Sequence, residues 1–177
     1  MWKKIAAAVI VLCLGVVAYA AIQPDTFEVV RSETIQAPAD KLQALLLDFH
    51  AWEKWSPWER LDPQLKRTYS GAASGVGAIY EWKGNDDVGS GRMTITAADP
   101  GNSVSIKIEF QEPFATTNLT LFSLEPSGSA TKVSWKMTGE VMGLAGKLMG
   151  LFMNMDAMIG KDFESGLDNL KVLAEKN

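Results

Sequence analysis

Ser103-Val-Ser-Ile-Lys-Ile-Glu-Phe110 alternates without a break, with Val104, Ile106, Ile108 and Phe110 on one parity and Ser103, Ser105, Lys107 and Glu109 on the other. A period of two with one apolar side marks a strand in a sheet that has one dry face. Asp99-Pro100-Gly101 turns the chain before it and Glu112-Pro113-Phe114 interrupts it afterwards. Upstream, Met93, Ile95 and Ala97 alternate with Arg92, Thr94 and Thr96, and Val76, Ala78, Tyr80 and Trp82 alternate with Ile79, Glu81 and Lys83. Gly84-Asn-Asp-Asp87 supplies the turn between them. Downstream, residues 116–124 alternate poorly, because Leu119 and Leu121 oppose Phe122 and Leu124; a bulge that switches faces is expected there. After the turn Pro126-Ser-Gly128-Ser, Val133, Trp135 and Met137 alternate with Lys132, Ser134 and Lys136.

Beyond this run the period changes. Leu148, Phe152, Met155, Ile159, Phe163, Leu167, Leu170 and Ala174 keep one helical face, which predicts one long C-terminal helix. Gly146, Gly150, Gly160 and Gly166 lie inside it, so tertiary packing must hold it. Before the strands, Phe27–Ile35 reads as an edge or partly solvated strand, since Arg31 and Glu33 share the parity of Phe27, Val29 and Ile35. Pro38 opens a helix with a stripe of Leu42, Leu45, Leu46 and Phe49, followed by Trp52-Glu-Lys-Trp55-Ser-Pro57-Trp58 in short irregular pieces. The order is strand, helix with a tryptophan turn, five or six antiparallel strands, long helix. That is an α+β domain in which the last helix buries its stripe on the sheet.

The chain has 177 residues, 47% apolar and 21% charged, with a net charge of -4. This suits one folded domain with a short appendage and excludes a disordered chain. No basic block is present, so no nucleic-acid partner is expected. A single cysteine, Cys13, excludes a disulfide framework and a cysteine zinc site, and a single histidine excludes chemistry that needs two. No cofactor or metal is expected. His50 reads as a favourable residue near a helix C-terminus, with no partner acid legible. Gly71–Gly77 precedes a strand and is no phosphate cradle; Asp86-Asp87 and Asp156/Asp162 lack calcium-loop spacing. Asn118-Leu-Thr120 is a glycosylation sequon set in a strand, where it has no use.

Residues 1–23 form the appendage. Lys3 and Lys4 precede Ile5–Ile22, which carries no charge. This fits a single-pass transmembrane anchor through residues 5–22, the domain outside a bacterial inner membrane, facing the periplasm. A signal peptide cleaved near Ala18-Tyr19-Ala20, leaving an exported domain, fits too, and a buried core helix fits less well because no polar face exists.

Arg31-Ser32 with Ile35-Gln-Ala-Pro38, Trp52…Trp55-Ser-Pro-Trp58, Gly75-Val-Gly77-Ala-Ile-Tyr80-Glu-Trp82 and Lys147–Lys171 together resemble the SRPBCC or START-like proteins of the polyketide cyclase/dehydrase and lipid transport group. The resemblance spans residues 26–175 and implies a helix-grip fold, a curved antiparallel sheet around the C-terminal helix and an apolar cavity. Tyr80, Trp82, Met93, Phe110, Trp135, Met137, Phe152 and Met155 stand on inward parity, and the resemblance puts Trp55 and Trp58 at the cavity mouth. Such residues either fill a core or line a pocket. The expectation is non-catalytic binding of an apolar or amphipathic small molecule, lipid or polyketide-like, by a monomer. The alternatives are a cyclase/dehydratase-type enzyme and a structural domain with a filled core. Arg31, Glu33 and Glu81 are expected in ordinary ion pairs rather than on a ligand head.

Overall fold

Strands joined by short hairpins must lie side by side in chain order, and all but one pairing in the sheet obeys that rule. The computed structural model describes residues 1–152 and 154–176. Helix α1 (Trp2–Ala21) precedes β1 (Thr26–Ile35), α2 (Ala39–Leu47), a short α3 (Phe49–Trp52) and a 3-10 turn at Pro57–Arg60. Then come β2 (Lys66–Gly71), β3 (Ala78–Lys83), β4 (Ser90–Asp99), β5 (Ser103–Glu112), β6 (Thr116–Ser127) and β7 (Ala130–Glu140), followed by α4 (Gly143–Gly150) and α5 (Met155–Glu175). The seven-stranded antiparallel sheet runs β1-β7-β6-β5-β4-β3-β2, so β1 is an edge strand and α2, α3 and the tryptophan segment carry the chain from one edge to the other. Register shifts in the β4–β5 pair, at Ser90/Gly91 and Ile95/Ala97, bend the sheet into a curved wall.

The dry face is the one its alternation predicts: Val104, Ile106 and Ile108 from β5 and Val133, Trp135 and Met137 from β7 are buried. Helix α5 lays Phe163, Leu167, Leu170 and Ala174 against it. Phe163 stacks on Trp135 at 4.1 Å and 8° between ring planes. Two of the helix glycines now have a reason. A Cβ on Gly166 would stand 2.8 Å from the Trp135 ring, and one on Gly160 would overlap the Arg31 guanidinium, so the helix lies close on the sheet only where side chains are missing. Buried Gln43 ties α2 to the β4–β5 turn, donating to the carbonyls of Asp99 and Ser103 and accepting from the Gly101 amide.

Three sequence expectations are corrected. The C-terminal segment is two helices, because Gly143, Gly146 and Gly150 weaken the first and Asn154 caps the second, its side chain accepting from the Ala157 amide at 3.1 Å. Phe152, in the break, is 82% exposed instead of continuing the stripe. Strand β6 has no bulge: it pairs without a register shift on both sides and turns Asn118, Thr120, Phe122 and Leu124 inward, leaving Leu119 exposed. Strand β2, which the alternation analysis did not single out, closes the far edge.

Helix α1 is long and apolar enough to cross a membrane and is almost wholly exposed. Its C-terminal end meets α4, where Lys147 pairs with Asp25 at 2.6 Å and donates to the Ala21 carbonyl.

Candidate functional site

The three tryptophans between α3 and the 3-10 turn converge on Trp135. Trp52, Trp55 and Trp58 have ring centroids 6.4, 5.7 and 5.7 Å from it. Trp55 is fully buried in this cluster and forms part of the core. Trp52 and Trp58 instead form one side of a solvent-open cavity of about 400 Å3 between the sheet, the tryptophan segment and the start of α5. That volume lies within the usual range for small-molecule pockets.

Tyr80 and Trp82 of β3, Met93 of β4, Phe110 of β5, Trp135 and Met137 of β7 and Met155 of α5 also face this space. Trp55 and Phe152, the other two residues expected there, do not: the first is packed beneath the wall and the second projects into solvent. Ile108 and Ile159 add to the apolar wall, as do Leu65, Val88, Pro113 and Phe114. The interior is not solid.

The polar groups on the wall were largely missed. Glu59, with its carboxylate almost buried, accepts from Tyr80 Oη at 2.6 Å and from Arg67 Nε at 2.7 Å. Burial first, and then the bond to Glu59, push the Tyr80 hydroxyl well above the usual phenol range, so it stays protonated. Glu112 accepts from Ser90 Oγ at 3.1 Å. Asp162 lies on the helix wall, where burial raises its carboxyl above 3.8, opposed by the Trp58 side chain. On β6, Asn118 and Thr120 face the cavity. The sequence signal for these two was the alternation they share with Phe122 and Leu124.

Other singled-out residues lie elsewhere. His50 stacks on Tyr69 at 3.9 Å and its Nδ1 lies 3.2 Å from Asp48 Oδ1, a partner two residues earlier that sequence reading passed over. Arg31 bridges Asp156 and Glu164 of α5, Glu33 pairs with Lys171, and Glu81 pairs with Arg92, all as ion pairs away from the cavity. Among the described residues, no group of three or more His, Cys, Asp or Glu side chains is arranged to hold a metal ion.

The fold recurs in solved structures. Protein CV1439 from Chromobacterium violaceum aligns over 88% of this chain and 100% of its own, at 16% identity and a TM-score of 0.60. Major latex-like protein 151 from Panax ginseng aligns over 86% and 99%, at 14% identity and 0.62. A protein described as the Aha1 dimer from Colwellia psychrerythraea aligns over 85% and 97%, at 18% identity and 0.59. At these identities the likeness establishes the helix-grip fold alone. No curated relative matches the chain. The family model for polyketide cyclase/dehydrase and lipid transport matches residues 26–175, the whole sheet and helices α2 to α5, and the chain belongs to that family.

Proposed function

We propose that this protein is a non-catalytic binding module that holds an apolar or amphipathic small molecule in its internal cavity, tethered to a membrane by α1. The observation that carries this reading is the cavity of about 400 Å3 walled by Trp52, Trp58, Tyr80, Trp82, Met93 and Met137. Burying apolar ligand surface there contributes about 25 cal/mol per Å2, and pliable methionines accept varied shapes. The wall acids Glu59 and Glu112 are already engaged in hydrogen bonds, which favours holding a ligand over moving its protons.

The tether reading rests on the length and exposure of α1 and on what surrounds its end. Leu144 and Met149 of α4, Phe152, Met155 and Met158 leave an exposed apolar collar, and Met155 also lines the cavity. Helix α4 itself touches α1. A bilayer crossed by α1 would bring this collar against lipid, so that an apolar ligand enters from the membrane without crossing water.

Native mass spectrometry of the full chain, purified from its own host in a mild detergent, tests the binding reading. One co-purifying small molecule is expected, and it should be lost when Met137→Trp fills the cavity. An adduct retained unchanged by a folded M137W protein, or no adduct at all, overturns it.

A further inference from the structure

Two kinds of polar group on the cavity wall bear on the ligand's chemistry: one offers hydrogen bonds and the other disfavours an anionic head. The first lies on β6. Asn118, 5% exposed, and Thr120, 2% exposed, point to the dry side of the sheet, where alternation would place aliphatic residues. Asn118 Oδ1 and Thr120 Oγ1 have no hydrogen-bond partner in the protein, and neither has Nε1 of the neighbouring wall residue Trp135. The Asn118 amide nitrogen meets only the thioether of Met137, at 3.6 Å. As placed, the amide oxygen has no donor, and turning the amide over would give up the weak bond to sulfur without supplying an acceptor for the nitrogen. Buried polar groups are nearly always paired, and leaving one unpaired costs as much as a hydrogen bond contributes. The Asn118 oxygen leans over Gly139, its register partner on β7, a gap that admits the amide without giving its oxygen a donor; at Thr120, Val would fit the strand better.

The second is charge. Glu59, Asp86, Asp87, Glu112 and Asp162 border the cavity, and no lysine or arginine does among the described residues. Arg67 is already bound to Glu59. An anionic head group would therefore enter a low-dielectric site with no cation to meet it.

We infer that the ligand is an uncharged amphiphile whose polar end is a hydroxyl seated against Asn118 and Thr120, and that carboxylate-headed lipids are excluded. A hydroxyl both donates and accepts, so it satisfies Asn118 in either orientation of its amide and still pairs with Thr120. A volume of about 400 Å3 takes a medium-length chain or a compact ring system, at about 30 Å3 for each water-sized group. This assignment rests on the binding reading above and names the ligand class for the same cavity.

The test uses the full chain in lipid nanodiscs, titrated with 1-decanol, decanoate and decylamine at pH 7 and read by tryptophan fluorescence against empty nanodiscs. N-Phenyl-1-naphthylamine serves as the mainly apolar probe. Decanol should bind about tenfold tighter than decanoate, the factor that one or two buried hydrogen bonds supply. Thr120→Val, which keeps the shape, and Asn118→Leu should each weaken decanol several-fold, and by more than they weaken the naphthylamine probe. Equal binding of decanol and decanoate, a preference for decylamine, or decanol affinity unmoved by both variants overturns the hydroxyl assignment while the probe still binds. Failure of the probe itself to bind overturns the cavity as a ligand site.

Discussion

At the residue scale, Glu59 anchors the cavity wall. Its carboxylate is nearly buried and holds both Arg67 and Tyr80, so Glu59→Gln leaves a guanidinium without its counter-charge. A loss of about 2 kcal/mol is expected, seen as a lower urea midpoint with unchanged slope. Two acids of α5 should respond to pH in opposite directions. The Arg31 hydrogen bond holds Asp156 below its usual 3.8, so its contribution is present above that value and disappears as pH falls through the lowered one. Asp156→Asn should therefore be less stable than the parent near neutral pH, with the gap closing in acid. Burial raises Asp162, whose neutral form is the favoured one; that contribution is full below 3.8 and lost as pH rises through the raised value. Asp162→Asn should be the more stable protein near neutral pH and should lose this advantage in acid. Thermal unfolding between pH 3 and 7 checks both, and parallel curves for the two variants would contradict the assignment.

At the scale of elements, helix α5 shows where local preference yields to packing. Alanine is the better helix former, by about 1 kcal/mol over glycine in a helix interior. Gly166→Ala should nevertheless destabilise, by about 1–3 kcal/mol, because its methyl would press on Trp135 and Pro57. Calorimetry decides the sign, and a stabilised variant would show that the helix and the ring part easily. The strands β3, β5 and β7 were legible because period-two alternation and the inward face coincide, whereas in β4 they coincide only as far as Ile95, and Ala97 is exposed beyond the register shift at Ile95/Ala97. Strand β6 misled for a physical reason. Its inward face begins with Asn118 and Thr120, while Leu119 and Leu121 look like core on the outward one. Hydropathy ranks single side chains, whereas burial in β6 follows from its register with β5 and β7. The break between α4 and α5 was hidden likewise: Leu148, Phe152 and Met155 keep helical spacing through a segment where the helix stops.

For the whole molecule, helix α1 touches α4, and Met155 at the start of α5 is both exposed and on the cavity wall, which leads to a kinetic expectation. Leu144→Asp combined with Phe152→Asp should slow the transfer of N-phenyl-1-naphthylamine from vesicles several-fold and leave its equilibrium affinity unchanged, because these side chains stand outside the cavity. Stopped-flow fluorescence measures both quantities; an unchanged rate would remove the membrane from the loading route. Eight of the ten expected cavity residues face the space, and six of them stand on strands, where parity sorts side chains to one side. Parity does not tell filling from lining. Trp55 and Trp58 stand three residues apart in one segment, yet the first is sealed in the core and the second borders the void. Composition and periodicity were enough to determine the apolar N-terminal helix, the strand-rich order and the dry face, because those depend on neighbours in the chain. The empty volume, the polar pair on its wall and the excess of acids around it arise where five strands, one helix and a tryptophan segment meet, and only the tertiary structure brings those distant residues together.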